Sequence, residues 1–551
     1  MKRISRFRLL ALLVTVCMLA LEAPIVTSES AFDPMAKYDP EITITVVKRL
    51  QQGEKFMPGD SDSDNYWTRL YKDRLGINLE YLWMADASQY ENKMNLAVAS
   101  GDIPDLSYYV TAAQYGQMVK GGVLADMKPI IDKYMTPLTK EIMQSDGVSP
   151  AAEMTADGKM YFLPMNSQDI RANVFNLIIR KDWLENVGLT APKTFDDFLK
   201  VCDAFVNGDP DKNNQKDTYA LGVAGKDNLI IDWGSLRPFF EMYHVQPGAW
   251  WDNSLFYEKD NNGNVIWSGS KPQVKVALTQ LNDMYNKGYL AQDFGTIDAG
   301  GKLAQDLANS KVGMFFGASW MSGWPLPDVL KNVPSADFVV VKPPTVDGQP
   351  IQQTGYFPIN VCYTVSANCK NPEAIVKMLN LYTEVSNAAT LDPNLFGQDP
   401  NDWGKNAVMS AIQMNYADKQ AKAYFAITDA LATNDPSKLS ADQKLQYDEI
   451  MKFKSDPTYT AGWSANGYTT VFSKVWYGDT KTSDVLRNVW FAFPDADMAT
   501  NNAQFKKMAE ETITKIIYGT APVSEWDTMV ANWNQIYGDQ ELQKVIEAVA
   551  K

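Results

Sequence analysis

Near the N-terminus a β-branched run, an amphipathic run and a second apolar run follow one another closely: ITITVV (Ile42 to Val47), YWTRLYKDRLG, and NLEYLW (Asn78 to Trp83). The middle run places Trp67, Leu70, Tyr71 and Leu75 on one helical face and stops at Gly76. Two strands joined through a helix pair in parallel, because the helix is the crossover that returns the chain to the same edge. The spacing therefore predicts a βαβ unit and an α/β class. NVFNLIIR, VGMFFG, DFVVV and NVCYTV are further strand candidates. NNGN (Asn261 to Asn264), between LFYEKD and VIW, predicts a hairpin. Helices are predicted over KPQVKVALTQLNDMYNKGYL, with Val274, Ala277, Leu278, Leu281 and Tyr285 in register, and over AQFKKMAEETITKIIYG, with Phe505, Met508, Thr512, Ile513 and Ile516. Beyond about residue 400 the pattern is mostly helical, and no internal repeat or low-complexity linker interrupts it.

A chain of 551 residues with 45% hydrophobic and 21% charged content can build two or more cored lobes. The net charge of -15, with no basic run after the N-terminus, argues against nucleic acid as a partner. MKRISRFR followed by LLALLVTVCMLAL and VTSES reads as an export signal over residues 1–30, with cleavage after Ser28 or Ser30. Cys17, in VTVC, resembles a lipobox cysteine, although Val16 stands where Gly or Ala is expected, so a lipid anchor is an alternative to cleavage. Cys202, Cys362 and Cys369 do not make a disulfide framework. Cys362 and Cys369 could pair, but two separate buried thiols is the preferred reading.

All fifteen tryptophans lie beyond the signal, and several sit beside Gly, Pro or Ser rather than on amphipathic stripes: Trp233, Trp250, Trp251, Trp320, Trp324 and Trp463. Flat apolar rings stack on the C–H faces of sugars, so a rim of them suits a carbohydrate cleft. Taken singly, each ring reads more readily as packing. The lone histidine, His244, excludes a His-based zinc site or a His triad and reads as a surface or packing residue. No local catalytic signature stands out, while 66 acidic residues always allow a hydrolase-like carboxylate pair.

ENKMNLAVASGDIPDLSYY, GKMYFLP, LIIRKDWLENVGLTAPKTFDDFLKV, KVGMFFGASW and NPEAIVKMLNLY, in this order, resemble the family 1 extracellular solute-binding proteins of ABC importers. The ending TKIIYGTAPVSEWDTMVANWNQIYGD is similar to the large oligosaccharide-binding subgroup, to which alginate-binding proteins are also alike. The resemblance implies a type II periplasmic-binding fold, with two α/β lobes, a sugar cleft between them, crossing hinge segments near Leu163 to Ser167 and Gln353 to Pro358, and no catalysis. It sets one lobe at 31–165 with 355–420 and the other at 166–354 with 421–551. By comparison with maltose-binding proteins it matches Trp320 and Tyr109 to ligand aromatics and, more loosely, Phe239 after Arg237 and Pro238. Trp233, Trp251 and Trp463 join them as loop rings, and Asp64 and Asn65 as polar candidates.

NGDPDKNNQKDTYALGV spaces Asp209, Asp211, Asn213 and Asp217 at calcium-loop positions 1, 3, 5 and 9, with the Gln215 carbonyl at 7. Asn214 stands at the usual glycine, and Asn tolerates that turn. Position 12 is Ala220, so the bidentate Glu is missing, and the acid that alginate-binding relatives carry at position 10 is Thr218 here. A structural Ca2+ is favoured over an Asx-rich turn without metal, while GDSDSDNYW reads as a solvated loop. The expected function is an exported, monomeric receptor that captures an oligosaccharide for a membrane permease. A secreted carbohydrate-active enzyme, or the same scaffold holding a peptide or other non-sugar solute, are the alternatives.

Overall fold

The computed structural model describes residues 32–50, 56, 58–145, 158–164, 169–172, 174–226, 228–248, 255–355, 362–392, 395, 409–490 and 496–550. The export signal, Cys17, Trp250 and Trp251 lie outside them, as do 165–167 and 356–358 of the expected hinges. Two hydrophobic cores organise the chain. The first gathers side chains from Ile44 to Leu163 and from Tyr363 to Met414. The second gathers Val174 to Val340 and then Ala421 to Val545.

The first core is built on a five-stranded sheet of order β2-β1-β3-β12-β4: β1 (Ile42–Leu50), β2 (Ile77–Asp86), β3 (Leu106–Ser107), β4 (Leu163–Pro164) and β12 (Cys362–Val365). β1 pairs in parallel with β2 and β3, the expected βαβ unit, while β12 runs antiparallel to β3 and β4. The intervening helix Tyr66–Leu75 buries Trp67, Tyr71 and Leu75. It starts on a capping box, in which Asn65 Oδ1 accepts from the Trp67 and Thr68 amides. It stops on Gly76, whose φ of 68° suits glycine and whose missing Cβ would lie 2.5 Å from the Tyr38 carbonyl oxygen.

The second core is built on the sheet β10-β5-β9-β6, from β5 (Asn176–Arg180), β6 (Tyr219–Gly222), β9 (Val312–Gly317) and β10 (Phe338–Val341). β6 and β9 are parallel, and β5 runs against both β9 and β10. VGMFFG is buried along its whole length, as expected of a central strand covered on both faces. The expected hairpin forms from β7 (Tyr257–Lys259) and β8 (Val265–Trp267). The helices Gln273–Asn286 and Ala496–Ile517 lie against each other, burying Val274, Leu278, Leu281, Phe505, Ile513 and Ile516.

A short parallel pair, β11 (Gln353–Thr354) with β13 (Val485–Leu486), lies where the chain passes between the two cores. Gly355 donates to the Leu486 carbonyl at 2.8 Å, and a Cβ there would sit 2.2 Å from Ile170 and 2.4 Å from Val485. Beneath it the buried Glu241 accepts from Thr354 N (3.0 Å) and Thr354 Oγ1 (2.5 Å), while Gln353 Nε2 donates to the Phe175 carbonyl at 2.7 Å. On the next crossing Asp169 N donates to the Ala417 carbonyl, and Arg171 clasps Asp169 while lying over the Tyr477 ring. Cys202 and Cys369 are buried free thiols.

Candidate functional site

Aromatic rings collect at the carboxyl ends of the parallel strands in both sheets, where open α/β sheets bind ligands. In the second sheet, β9 ends at Gly317 and the chain turns into Ser319–Ser322, leaving Trp320 half-buried. Trp233 stands edge-on to both Trp320 (6.5 Å, 85°) and Trp324 (5.4 Å, 88°). Its own loop is fixed to the strand end, because Gly234 N donates to the Phe316 carbonyl at 2.8 Å. Trp233 is only 5% exposed, so it braces the two outer rings rather than offering a face of its own.

In the first sheet three neighbouring strand ends contribute. β3 leads into Tyr109, whose φ of 54° is unusual for an aromatic residue. Tyr109 packs edge-on against Tyr108 (4.7 Å), and the Arg49 guanidinium, from the end of β1, lies 4.6 Å from its ring centre. On β2 the register shifts by one beside Val46 and Val47, so Leu82 is left exposed and Trp83 falls opposite Val47. Lys93 Nζ sits 5.6 Å from the Trp83 ring. The helix Ala112–Lys120 begins three residues after Tyr109 and packs on Ala496–Ile517 of the second core, where Lys120 meets Asp497 at 3.5 Å. Farther along that second helix, Glu510 Oε1 holds the amide of Leu229, in the loop that carries Trp233. The two ring clusters are thus tied to one connecting helix.

Other expected site residues fall elsewhere. Phe239 is fully buried, packed among Phe195, Phe198 and Tyr243, so it is a core residue with no face for a ligand. Arg237 is buried as well, stacked 4.4 Å from the Phe175 ring and 3.7 Å from Glu241. Burial pushes the Glu241 carboxyl up and the Arg237 guanidinium down, each partly offset by the other's charge. Asn65 is spent on its helix cap, and Asp64 pairs with Arg69 at 2.8 Å on the surface. Trp463 is half-buried and packs against Phe338, although the helix Thr460–Asn466 that carries it also touches the Ser319–Ser322 turn of Trp320. His244 lies on the surface, 3.1 Å from Asp347. Arg49, Trp83 and Lys93 were not singled out by sequence. Arg49 and Trp83 lie near strand ends and Lys93 on the helix Ala87–Ser100, and their contacts, Arg49 over Tyr109 and Lys93 over Trp83, join residues that are separated in the chain.

In the loop 209–217, Asn213 Nδ2 donates to Asp211 (2.8 Å) and Asp217 (3.1 Å), while Asp209 accepts from the amides of Asn213 and Asn214. Asn214 has a φ of 59°, the turn a glycine usually makes in calcium loops. Asp211 Oδ1 is buried without a hydrogen-bond partner, and burial, then the charges of Asp217 and Asp209, raise the Asp211 carboxyl above its ordinary range. Among the described residues no three His, Cys, Asp or Glu side chains are gathered as metal ligands. Thr218 Oγ1 turns away to the Phe205 carbonyl, and Ala220 is buried in β6.

The profile of the bacterial extracellular solute-binding protein family matches residues 60–389. The chain belongs to this family. The fructooligosaccharide ABC transporter substrate-binding protein FusA of Streptococcus pneumoniae is 26% identical to this solute-binding protein over 279 residues, 49% of each chain. The polygalacturonan/rhamnogalacturonan-binding protein YtcQ of Bacillus subtilis is 26% identical over 251 residues, 43% of this chain and 44% of its own. This chain thus spans about half the length of the relatives it matches. Among solved structures, a FusA EF-hand mutant in complex with fructo-nystose superposes with a TM-score of 0.66 at 17% identity, covering 92% of this chain and 99% of its own. Alginate-binding protein AlgQ2 without calcium ion superposes at 0.62 and 16% identity, covering 94% and 100%. These likenesses show the fold, the two-lobed α/β architecture of type II solute-binding proteins.

Proposed function

We propose that this protein is the extracytoplasmic substrate-binding component of an ABC importer, and that it captures an oligosaccharide between its lobes without altering it. The observation that carries the reading is the pair of ring clusters at strand carboxyl ends, Trp320 and Trp324 braced by Trp233 on one side, Tyr109 and Trp83 on the other. Half-buried rings with fixed orientation offer flat apolar area at little entropic cost, which matches the C–H faces of pyranose or furanose units. The lobes are 31–165 with 355–420 and 166–354 with 421–551, and the close-packed crossing at Gly355 is where one moves against the other. FusA and YtcQ, whose names state oligosaccharide and polysaccharide binding, support the ligand class.

The loop 209–217 holds a calcium ion away from the rings. Asp209, Asp211, Asn213 and Asp217 supply side-chain oxygens and Gln215 its carbonyl. The buried unsatisfied oxygen of Asp211 and the left-handed Asn214 fit this role. With no acid at Ala220 or Thr218 the ligand set is short, so affinity falls in the weak, extracellular range of about 0.1–1 mM. The ion would neutralise three crowded carboxylates and fasten the turn between the helix Phe195–Asn207 and β6.

A thermal-shift panel of oligosaccharides tests the reading, because a ligand that binds only the folded state raises the melting temperature. At least one sugar should raise it, and chromatography after prolonged incubation should recover that sugar intact. Products shortened in proportion to protein would instead establish a carbohydrate-active enzyme.

A further inference from the structure

We propose that Arg49 anchors a carboxylate of the captured sugar, so that the ligand is an acidic oligosaccharide containing uronic-acid units. The inference rests on the carbohydrate reading above and narrows it.

A guanidinium in a partly buried position normally has its own carboxylate. Arg69, Arg74, Arg171, Arg180 and Arg237 each have one within 4 Å. Arg487 is exposed. Arg49 is half-buried, and no carboxylate among the described residues lies within 4 Å of it. Its plane is held instead over the Tyr109 ring, 4.6 Å away, on a residue whose backbone adopts a left-handed conformation. The acid in register with the end of β1, Asp86 opposite Leu50, accepts from the Gln89 amide at 3.1 Å, and Asp105 is held by Thr45 farther back on β1. Stacking fixes the guanidinium without consuming its N–H donors, which leaves the planar fork available for two parallel bonds to a carboxylate.

The ring on the neighbouring strand also has a cation over it, from the helix Ala87–Ser100. Lys93 is exposed, lies over Trp83 and has no carboxylate within 4 Å among the described residues. Two cations with no carboxylate partner among the described residues therefore stand beside rings at the first sheet, Arg49 at the end of β1 and Lys93 on the helix Ala87–Ser100 that follows β2. A chain of net charge -15 repels an anionic ligand except where cations are left uncompensated. A uronate unit would accordingly lie with its carboxylate toward the first sheet and its C–H face on a ring.

Calorimetric titration of the full mature protein with oligogalacturonate and oligomannuronate, each alongside its methyl ester, tests the assignment. Esterification removes the charge and keeps the sugar frame. At least one acid form should bind about tenfold to a hundredfold more tightly than its ester, as expected of a charge-assisted contact. That advantage should shrink as salt rises from 50 to 500 mM. In Arg49→Gln the acid-to-ester affinity ratio should collapse at least about tenfold, and in Arg49→Lys, which keeps charge but loses the fork, by less. Lys93→Gln gives a second reading should Arg49→Gln fail to fold. If neutral sugars such as nystose bind and neither acid outcompetes its ester, or if the ratio survives both Arg49→Gln and Lys93→Gln, the proposal is overturned while the sugar-receptor reading stands. If no oligosaccharide of either kind binds, both fall.

Discussion

Trp320 and Phe239 show how differently two aromatic residues matched to ligand rings by the same resemblance can end up. Trp320 leaves a buried strand through Ala318 and Ser319 and stays half-exposed beside Trp233. Trp320→Ala should therefore weaken sugar binding by about 1–3 kcal/mol, taking base–aromatic stacking as the guide, and hardly move the melting temperature of the unliganded protein. Phe239→Ala should do the reverse, costing about 3–5 kcal/mol of stability through the cavity left among Phe195, Phe198 and Tyr243. Denaturation midpoints and calorimetry on both variants check the pair. The small residues before Trp320 were legible in the sequence because they are local. The burial of Phe239 was not, because part of its packing comes from a helix some forty residues upstream. Arg49 escaped notice for the same reason: KRL at a strand end reads as a solvated terminus until Tyr109 is brought beneath it.

At the level of elements, periodicity and turn chemistry located the strands, the hairpin and the calcium-type loop. Beyond the first βαβ unit, what they could not give was strand direction. NVFNLIIR follows a crossing segment between the cores and pairs antiparallel with β9. The loop makes its own prediction. A carboxyl raised in the folded state makes ionisation unfavourable to folding, so the contribution of Asp211 is most favourable at low pH and is lost as pH rises through its folded value. Calcium-free protein should therefore lose stability through this group on going from acid to neutral pH, and Asp211→Asn should remove that component. Calcium at a hundred times its Kd should add about 2.7 kcal/mol in the wild type and little in Asp209→Ala. Thermal melts with and without chelator measure both effects. The crossing strands make another. Gly355→Val would drive a branched side chain into Ile170 and Val485 and should cost about 1–3 kcal/mol, read as a lower denaturation midpoint.

On the scale of the whole molecule, each core draws on two separated stretches of chain, and the helix Ala496–Ile517 touches the first core while packing inside the second. Local patterns cannot reveal such interleaving. It became readable only through the ordered motifs shared with solute-binding proteins. The account's central claim is that this scaffold closes on a sugar through rings from both sheets. The most direct measurement is a calorimetric titration of the mature protein with the sugar that gives the largest thermal shift, repeated on Trp320→Ala and on Tyr109→Ala. The account predicts one site per chain, a negative heat-capacity change from apolar burial, and weaker binding in both variants, since each removes a ring from a different sheet. Wild-type affinity in both variants, or the absence of binding heat with any sugar of the panel at millimolar concentration, would contradict it.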